Sequence, residues 1–375
     1  MAASLAMSIF IVLSQKWHGS FSHDHDLQGV QKVHTTAVPR IGGVAVVAGA
    51  IAGMFFAPRL IGGTLSDPDL QRIGTLLLVS APAFLAGIVE DFTKKVSVKL
   101  RLSATVSSAL LASGFLGATV DELNIWGIDA LLLITPIAVF VTAIVVAGAA
   151  NAINIIDGFN GLSTSTLMVM AAGLFAIAWQ HDDAFVMALG ALCIGATLGF
   201  FLMNYPTGKL FLGDGGAYFL GFWVAEMAVF LVRRHDVNGW QILAVCAYPV
   251  IEVMFSIYRR KFIRQVSPGS PDALHLHTLV YRRAVYFLVK KDARRAWKRN
   301  AMVPCLIVPG VALFIALAAA LGDNIVAAIA LVVLQLVSYV VVYRRLVHGR
   351  WHAPRRVKTP EFRLGDVAGM AEKQT

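Results

Sequence analysis

Residues 151–163 read NAINIIDGFNGLS, a polar turn set between two apolar runs. The run before it, LLLITPIAVFVTAIVVAGAA (131–150), is about the ~20 residues that cross a bilayer core, and TSTLMVMAAGLFAIAW (164–179) behind it has the same character. The turn holds three Asn, one Asp and two Gly. Asn and Asp cap helices and coordinate cations, and Gly lets backbone approach a ligand closely. Taken alone the stretch reads equally well as a capped re-entry turn, so its meaning depends on the other loops.

The pattern of apolar runs joined by polar turns repeats along the chain. Of 375 residues, 57% are hydrophobic and 14% charged, against about a quarter charged in soluble domains. The expected architecture is all-α, a polytopic transmembrane bundle of about eleven helices with catalytic cytoplasmic loops. The crossings fall near 2–14, 41–57, 73–89, 102–118, 131–150, 164–179, 184–203, 215–232, 240–257, 301–321 and 324–343. The first is short and resembles a signal-peptide core, but it lacks a basic start and a clear cleavage site, and is read as a retained helix. Residues 1–350 form one multi-pass domain and 351–375 a basic tail. Cys193, Cys246 and Cys305 lie in separate apolar runs, so neither a disulfide nor a thiol-bound metal is expected.

The net charge of +10 is placed asymmetrically. The odd-numbered loops and the tail carry 28 of the 32 Lys and Arg; the opposite side has Arg59, Arg72, Arg233 and Arg234. That puts the odd loops and the tail in the cytoplasm, and it explains the basic balance without nucleic acid. Five loops with chemical character then share one side: KVHTTAVPRIGG (32–43), EDFTKKVSVKLRL (90–102), NAINIIDGFNGLS, NYPTGKLFLGDGG (204–216) and SPGSPDALHLHTLVYRR (267–283).

Glu90, Asp91, Asp157 and Asp214 come from three of these loops, and carboxylate with amide oxygen is what Mg²⁺ or Mn²⁺ prefers. Lys32, Arg40, Lys94, Lys95, Lys99, Arg101, Lys209, Arg282 and Arg283 stand around them. Acids inside a basic ring suit a metal-bound phosphate or diphosphate. The glycines at 42, 43, 213, 215 and 216 open helices, where backbone N–H groups bind anions, although close helix packing is the plainer reading of each pair. His275 and His277 are read as phosphate donors, with metal ligation or simple exposure as alternatives; His34 is a weaker case. Glu226 and Glu252 lie inside crossings and are read as structural, Glu252 paired near Arg259 and Arg260. The basic stretch 259–299 is expected to lie along the inner leaflet.

At these residues the chain resembles the polyprenyl-phosphate N-acetylhexosamine-1-phosphate transferases, and bacterial enzymes that start surface glycans in particular. All five loops carry the resemblance. It implies a UDP-sugar donor, a polyprenyl phosphate acceptor, Mg²⁺ with Mn²⁺ as substitute, and release of UMP. A homodimer is an allowed assembly. It also implies that Asp214 and Asn154 hold the metal, that Glu90, Asp91 and Asp157 are catalytic, and that Lys32, His34, Arg40, Lys94, Asn151, Asn160, His275, His277 and Arg282 contact substrate. The sequence departs from the family at Glu90 (usually Asp), Asn160 (often Asp), Thr278 (often His) and Ala37 (often Pro). The swap at 160 implies that Asn160→Asp is tolerated within about tenfold. The rivals are the muramoyl-pentapeptide transferase of peptidoglycan synthesis and, from another class, a secondary transporter.

Overall fold

A computed structural model describes residues 1–22, 37–60, 65–267, 272–289 and 297–348. Its regular elements are helical. In chain order they are α1 (Ala2–Ser22), α2 (Gly42–Leu60), α3 (Asp67–Val79), α4 (Ala81–Thr93), α5 (Val98–Leu116) and the short α6 (Ile128–Leu132). There follow α7 (Thr135–Ile156), α8 (Leu162–Gln180), α9 (Ala184–Asn204), α10 (Gly213–His235) and α11 (Gly239–Tyr258), the last running into a π-helical turn at Arg259–Ile263. The short α12 (Leu276–Leu279), a second π-helical turn (Val280–Val285) and α13 (Tyr286–Leu288) precede α14 (Trp297–Leu321) and α15 (Ile325–Val347).

Among the described residues, eight helical segments are long and apolar enough to cross a membrane. These segments do not confirm the count of eleven. The expected crossings at 2–14, 41–57 and 102–118 are not among these eight: α1 ends in polar Gln15, Lys16 and His18, and α5 opens with Lys99 and Arg101 and carries four serines, while α2 is apolar over Gly42–Phe56. All three still pack within the bundle, α1 on α2 and α9, α5 on α4 and α7. The expected crossing at 73–89 is longer, Asp67–Thr93, and is divided at Ser80 into α3 and α4. The outer surface carries large apolar side chains such as Phe10, Phe55, Leu78, Phe115, Phe140 and Leu313, which suits a lipid solvent better than water.

The centre is α10. Every residue from Gly213 to Val232 is buried, against α7, α4, α2, α8 and α9. Small residues let those neighbours close in: Gly87 meets the backbone at Gly215, Gly43 meets Gly216, and Gly221 meets Ala150. Its first residue, Gly213, has φ +75°, and a Cβ there would strike the Arg40 carbonyl and the Asp91 carboxylate. The central helix therefore begins deep in the bundle, at the polar end.

Candidate active site

The five polar stretches converge on one cavity of about 390 Å³ at that end. The first contributes Arg40, the second Glu90 and Arg101, and the third Asn154, Asp157 and Asn160. Asn204 and Asp214 come from the fourth, His275, His277 and Thr278 from the fifth.

Asp214, in the first turn of α10, is the hub. Its Oδ1 accepts from Arg40 Nη2 at 2.5 Å and from Asn154 Nδ2 at 3.0 Å, and its Oδ2 pairs with Arg101. Behind it, Asp91 at the end of α4 is 1% exposed. Asp91 Oδ1 accepts the Asp214 N–H at 2.8 Å, and its Oδ2 accepts the Gly215 N–H at 2.9 Å. These are two of the amides that a helix start leaves unpaired, and a negative charge suits them. Arg40 Nε lies 3.3 Å from Asp91 Oδ1, so one guanidinium bridges both acids. Asp91 does not line the cavity; Glu90 does, and its Oε2 accepts the Val96 N–H at 2.7 Å.

Asp157 ends α7 and accepts a short hydrogen bond from Ser163. Burial pushes its carboxyl up to about 6, against the opposing pull of Ser163 and Arg40. The third loop is fastened by amides. The Asn160 N–H donates to Asn300 Oδ1 at 2.7 Å, its side-chain Nδ2 to the Pro206 carbonyl at 3.1 Å, and the Gly161 N–H to Asn204 Oδ1 at 2.7 Å. Asn160 is thus both a cavity residue and a tie between three segments.

The His pair stacks, with ring centroids 5.2 Å apart and an angle of 9°. Glu252, from inside α11, organises it: Oε1 accepts from His275 Nδ1 at 3.0 Å and from the Leu276 N–H at 3.1 Å, and Oε2 lies 3.9 Å from His277 Nδ1. Burial pushes His277 down to about 4, so it is neutral near pH 7. The reading of Glu252 as a residue paired with Arg259 and Arg260 gives way here, because Arg259 pairs instead with Asp272. Glu226 stays apart, buried in α10 with neither oxygen hydrogen-bonded.

Other expected contacts sit outside the cavity lining. Asn151 Oδ1 accepts from Tyr218 OH at 3.1 Å. Lys94 caps α4 with φ +54° and is exposed, and Arg282 is exposed on the π-helical turn. Lys32 and His34 lie outside the described residues, as does the tail 351–375. Sequence reasoning left Arg101 as one cation of the ring, read Glu252 as structural and passed over Asn204 and Asn300. Arg101 stands in the first turn of α5, and the two Asn carry no local signal.

Asp214, with an amide whose oxygen and nitrogen can exchange places and with Glu90 and Asp157 on the same cavity, offers oxygen donors of the type a hard divalent cation takes. Arg40 and Arg101 supply the positive charge on Asp214, and among the described residues no three acidic, His or Cys side chains stand together at metal-ligand spacing.

Fold and cavity together define a polytopic helical membrane protein with an acid-and-arginine site built at one end of its bundle. The Glycosyl transferase family 4 profile matches residues 73–232 of the chain. A relative from Thermotoga maritima, named undecaprenyl-phosphate alpha-N-acetylglucosaminyl 1-phosphate transferase, is 29% identical over 253 residues, 68% of this chain and 71% of its own. One of the same name from Salmonella typhi is 26% identical over 266 residues, 68% of this chain and 69% of its own. A decaprenyl-phosphate N-acetylglucosaminephosphotransferase from Mycobacterium leprae is 25% identical over 267 residues, 65% of this chain and 67% of its own. The match spans about two thirds of the length of these curated relatives.

Proposed function

We propose that the protein transfers N-acetylhexosamine 1-phosphate, with N-acetylglucosamine as the sugar its relatives' names favour, from a UDP-sugar to a polyprenyl phosphate. The site would face the cytoplasm from the inner membrane. The observation that carries the reading is the meeting of Asp214, Asp157 and Glu90 with Arg40, Arg101 and the His pair in one cavity.

In the reaction an oxygen of the lipid phosphate bonds to the sugar-bearing phosphorus, the bond from that phosphorus to the bridging oxygen breaks, and UMP leaves. The acceptor is mostly a dianion at neutral pH, since the second pKa of a phosphate monoester is near ~6, so no strong base is required. Arg40 and Arg101, both partly exposed to the cavity, offset charge on the diphosphate. His277, neutral, donates a hydrogen bond rather than carrying charge, and Glu252 fixes the orientation of His275 beside it. Asp157 keeps its carboxylate turned to the cavity through Ser163. A Mg²⁺ held by Asp214 and Asn154 would supply Lewis-acid neutralisation of the diphosphate.

The test incubates purified protein with Mg²⁺, a polyprenyl phosphate and UDP-N-acetylglucosamine labelled in both uracil and sugar. Labelled UMP together with a sugar-labelled lipid diphosphate is expected. UDP as the only nucleotide product would mean attack at the sugar carbon. No turnover, with transport in proteoliposomes, would favour the transporter.

A further inference from the structure

A second hollow, of about 620 Å³, opens where α11 and α15 come to an end. Its wall is apolar and aromatic, formed by Phe255, Ile263, Val340 and Tyr343, and its cations are Arg264, Arg283 and Arg344. The membrane-length segments stop at Ile263 and Val347, so the arginines stand at the depth where apolar chain gives way to polar. All three are exposed, and none pairs with a carboxylate among the described residues.

A buried guanidinium stands behind them. Arg259, also lining the hollow, is only 5% exposed. It donates through Nη1 to Tyr343 OH at 2.5 Å and to the Leu274 carbonyl at 2.6 Å, and through Nη2 to Asp272, yet its buried Nε has no acceptor. Arg259 thus backs the hollow with a guanidinium held by Tyr343, the Leu274 carbonyl and Asp272, its Nε closed off from the surface.

We propose that this hollow binds the phosphate headgroup of an anionic membrane phospholipid, with an acyl chain along the Phe255–Ile263 wall. Charge selects the ligand class, because three guanidiniums with no carboxylate partner among the described residues, beside an apolar wall, match a phosphodiester that carries a hydrocarbon tail. Position excludes the reacting acceptor. The stretch from Leu274 to Leu279 separates the two cavities: Leu274 and Leu279 line this hollow, while His275, His277 and Thr278 line the acidic one. A headgroup here therefore lies across that wall from Asp214. It abuts the stretch from Leu274 to Leu279 that carries the His pair.

The experiment is native mass spectrometry of the full chain released from neutral detergent and titrated with phosphatidylglycerol or with phosphatidylcholine of the same acyl chains. About tenfold tighter binding of the first phosphatidylglycerol is expected, with the preference lost in the Arg264→Gln, Arg344→Gln double variant. Arg283→Gln, on a different element, should weaken it likewise and guards against a folding defect in the double variant. Equal binding of the two lipids, or a preference that survives in both variants, overturns the proposal. So does inorganic phosphate that displaces the lipid at equal concentration, which would make this a soluble-anion site, or a polyprenyl phosphate that takes the same arginines more tightly.

Discussion

Asp91 Oδ1 accepts the backbone N–H of Asp214 at 2.8 Å, so the acid that ends α4 sets the first turn of the helix carrying the acid at the centre of the site. A carboxylate can take both the Asp214 and Gly215 amides, whereas an Asn in its place turns an NH₂ toward one of them. Asp91→Asn should therefore lower stability by about 1–3 kcal/mol and activity along with it. Asp157→Asn keeps the acceptor for Ser163 and should lose activity at an unchanged melting temperature. Thermal melts in detergent beside initial rates separate the two, and an inactive Asp91→Asn that melts like the wild type would contradict the capping role.

Asp214 is held by Arg40, Arg101 and Asn154 at once. EDTA should abolish turnover and Mg²⁺ or Mn²⁺ restore it, and Mg²⁺ should raise the melting temperature of the wild type but not of Asp214→Asn. The substitution also takes the carboxylate from Arg101 and one of the two that Arg40 bridges, and breaking such a pair costs about 3–5 kcal/mol when it is buried. Arg40 keeps 25% of its side chain exposed, so the cost here should fall below that range. Full activity in EDTA would rule out the metal.

The pH dependence follows from Asp157. With its carboxyl near 6, the ionised form that the cavity presents is lost as pH falls through that value, and kcat/KM should drop by up to tenfold per pH unit below it. Ser163 pulls this pKa down, so Ser163→Ala should raise it and shift the acid limb toward neutrality. The titration of the acceptor phosphate overlaps this limb but does not respond to Ser163. A limb that stays in place in Ser163→Ala would assign it to the substrate.

The bundle and the sharing of one cavity by five loops were legible because both are written in composition and periodicity: apolar runs of membrane length, and Lys and Arg on alternate connections. Glu252 was not, because it lies in an apolar stretch 23 residues before His275, and only the return of the chain brings them within 3.0 Å. Asp91 was visible as an acid but not as a cap, since the amides it serves belong to a helix more than 120 positions later. Hydropathy alone does not settle the helix at α5, which is held by α4 and α7 despite its serines and its basic start.

At Asn160 the geometry reverses the tolerance expected from its relatives. The side-chain amide donates to the Pro206 carbonyl, and an Asp would place a carboxylate against that oxygen at a site 3% exposed. Asn160→Asp should cost about 1–3 kcal/mol of stability and reduce activity by more than tenfold. Asn160→Asp with a wild-type melt and near-normal rate would show that the turn at 205–211 does not depend on this bond.

The last prediction concerns Glu252, which acts through His275 and not on substrate. Glu252→Gln preserves the volume and one acceptor for the Leu276 N–H, but removes the charge that orients the His275 ring and lets an NH₂ compete for its partner. If Glu252 works only by positioning, the single variants Glu252→Gln and His275→Gln should each lower kcat/KM by about tenfold, some 1.4 kcal/mol, and the double variant should be little worse than either. Residues that act as one unit lose their effect once, so the coupling in the cycle should nearly equal a single loss. His277, neutral and stacked on His275, should follow with a raised KM for the UDP-sugar when changed to Ala. Losses that multiply in the double variant would mean that Glu252 and His275 contribute separately, and that the carboxylate reaches the substrate by a route other than the His pair.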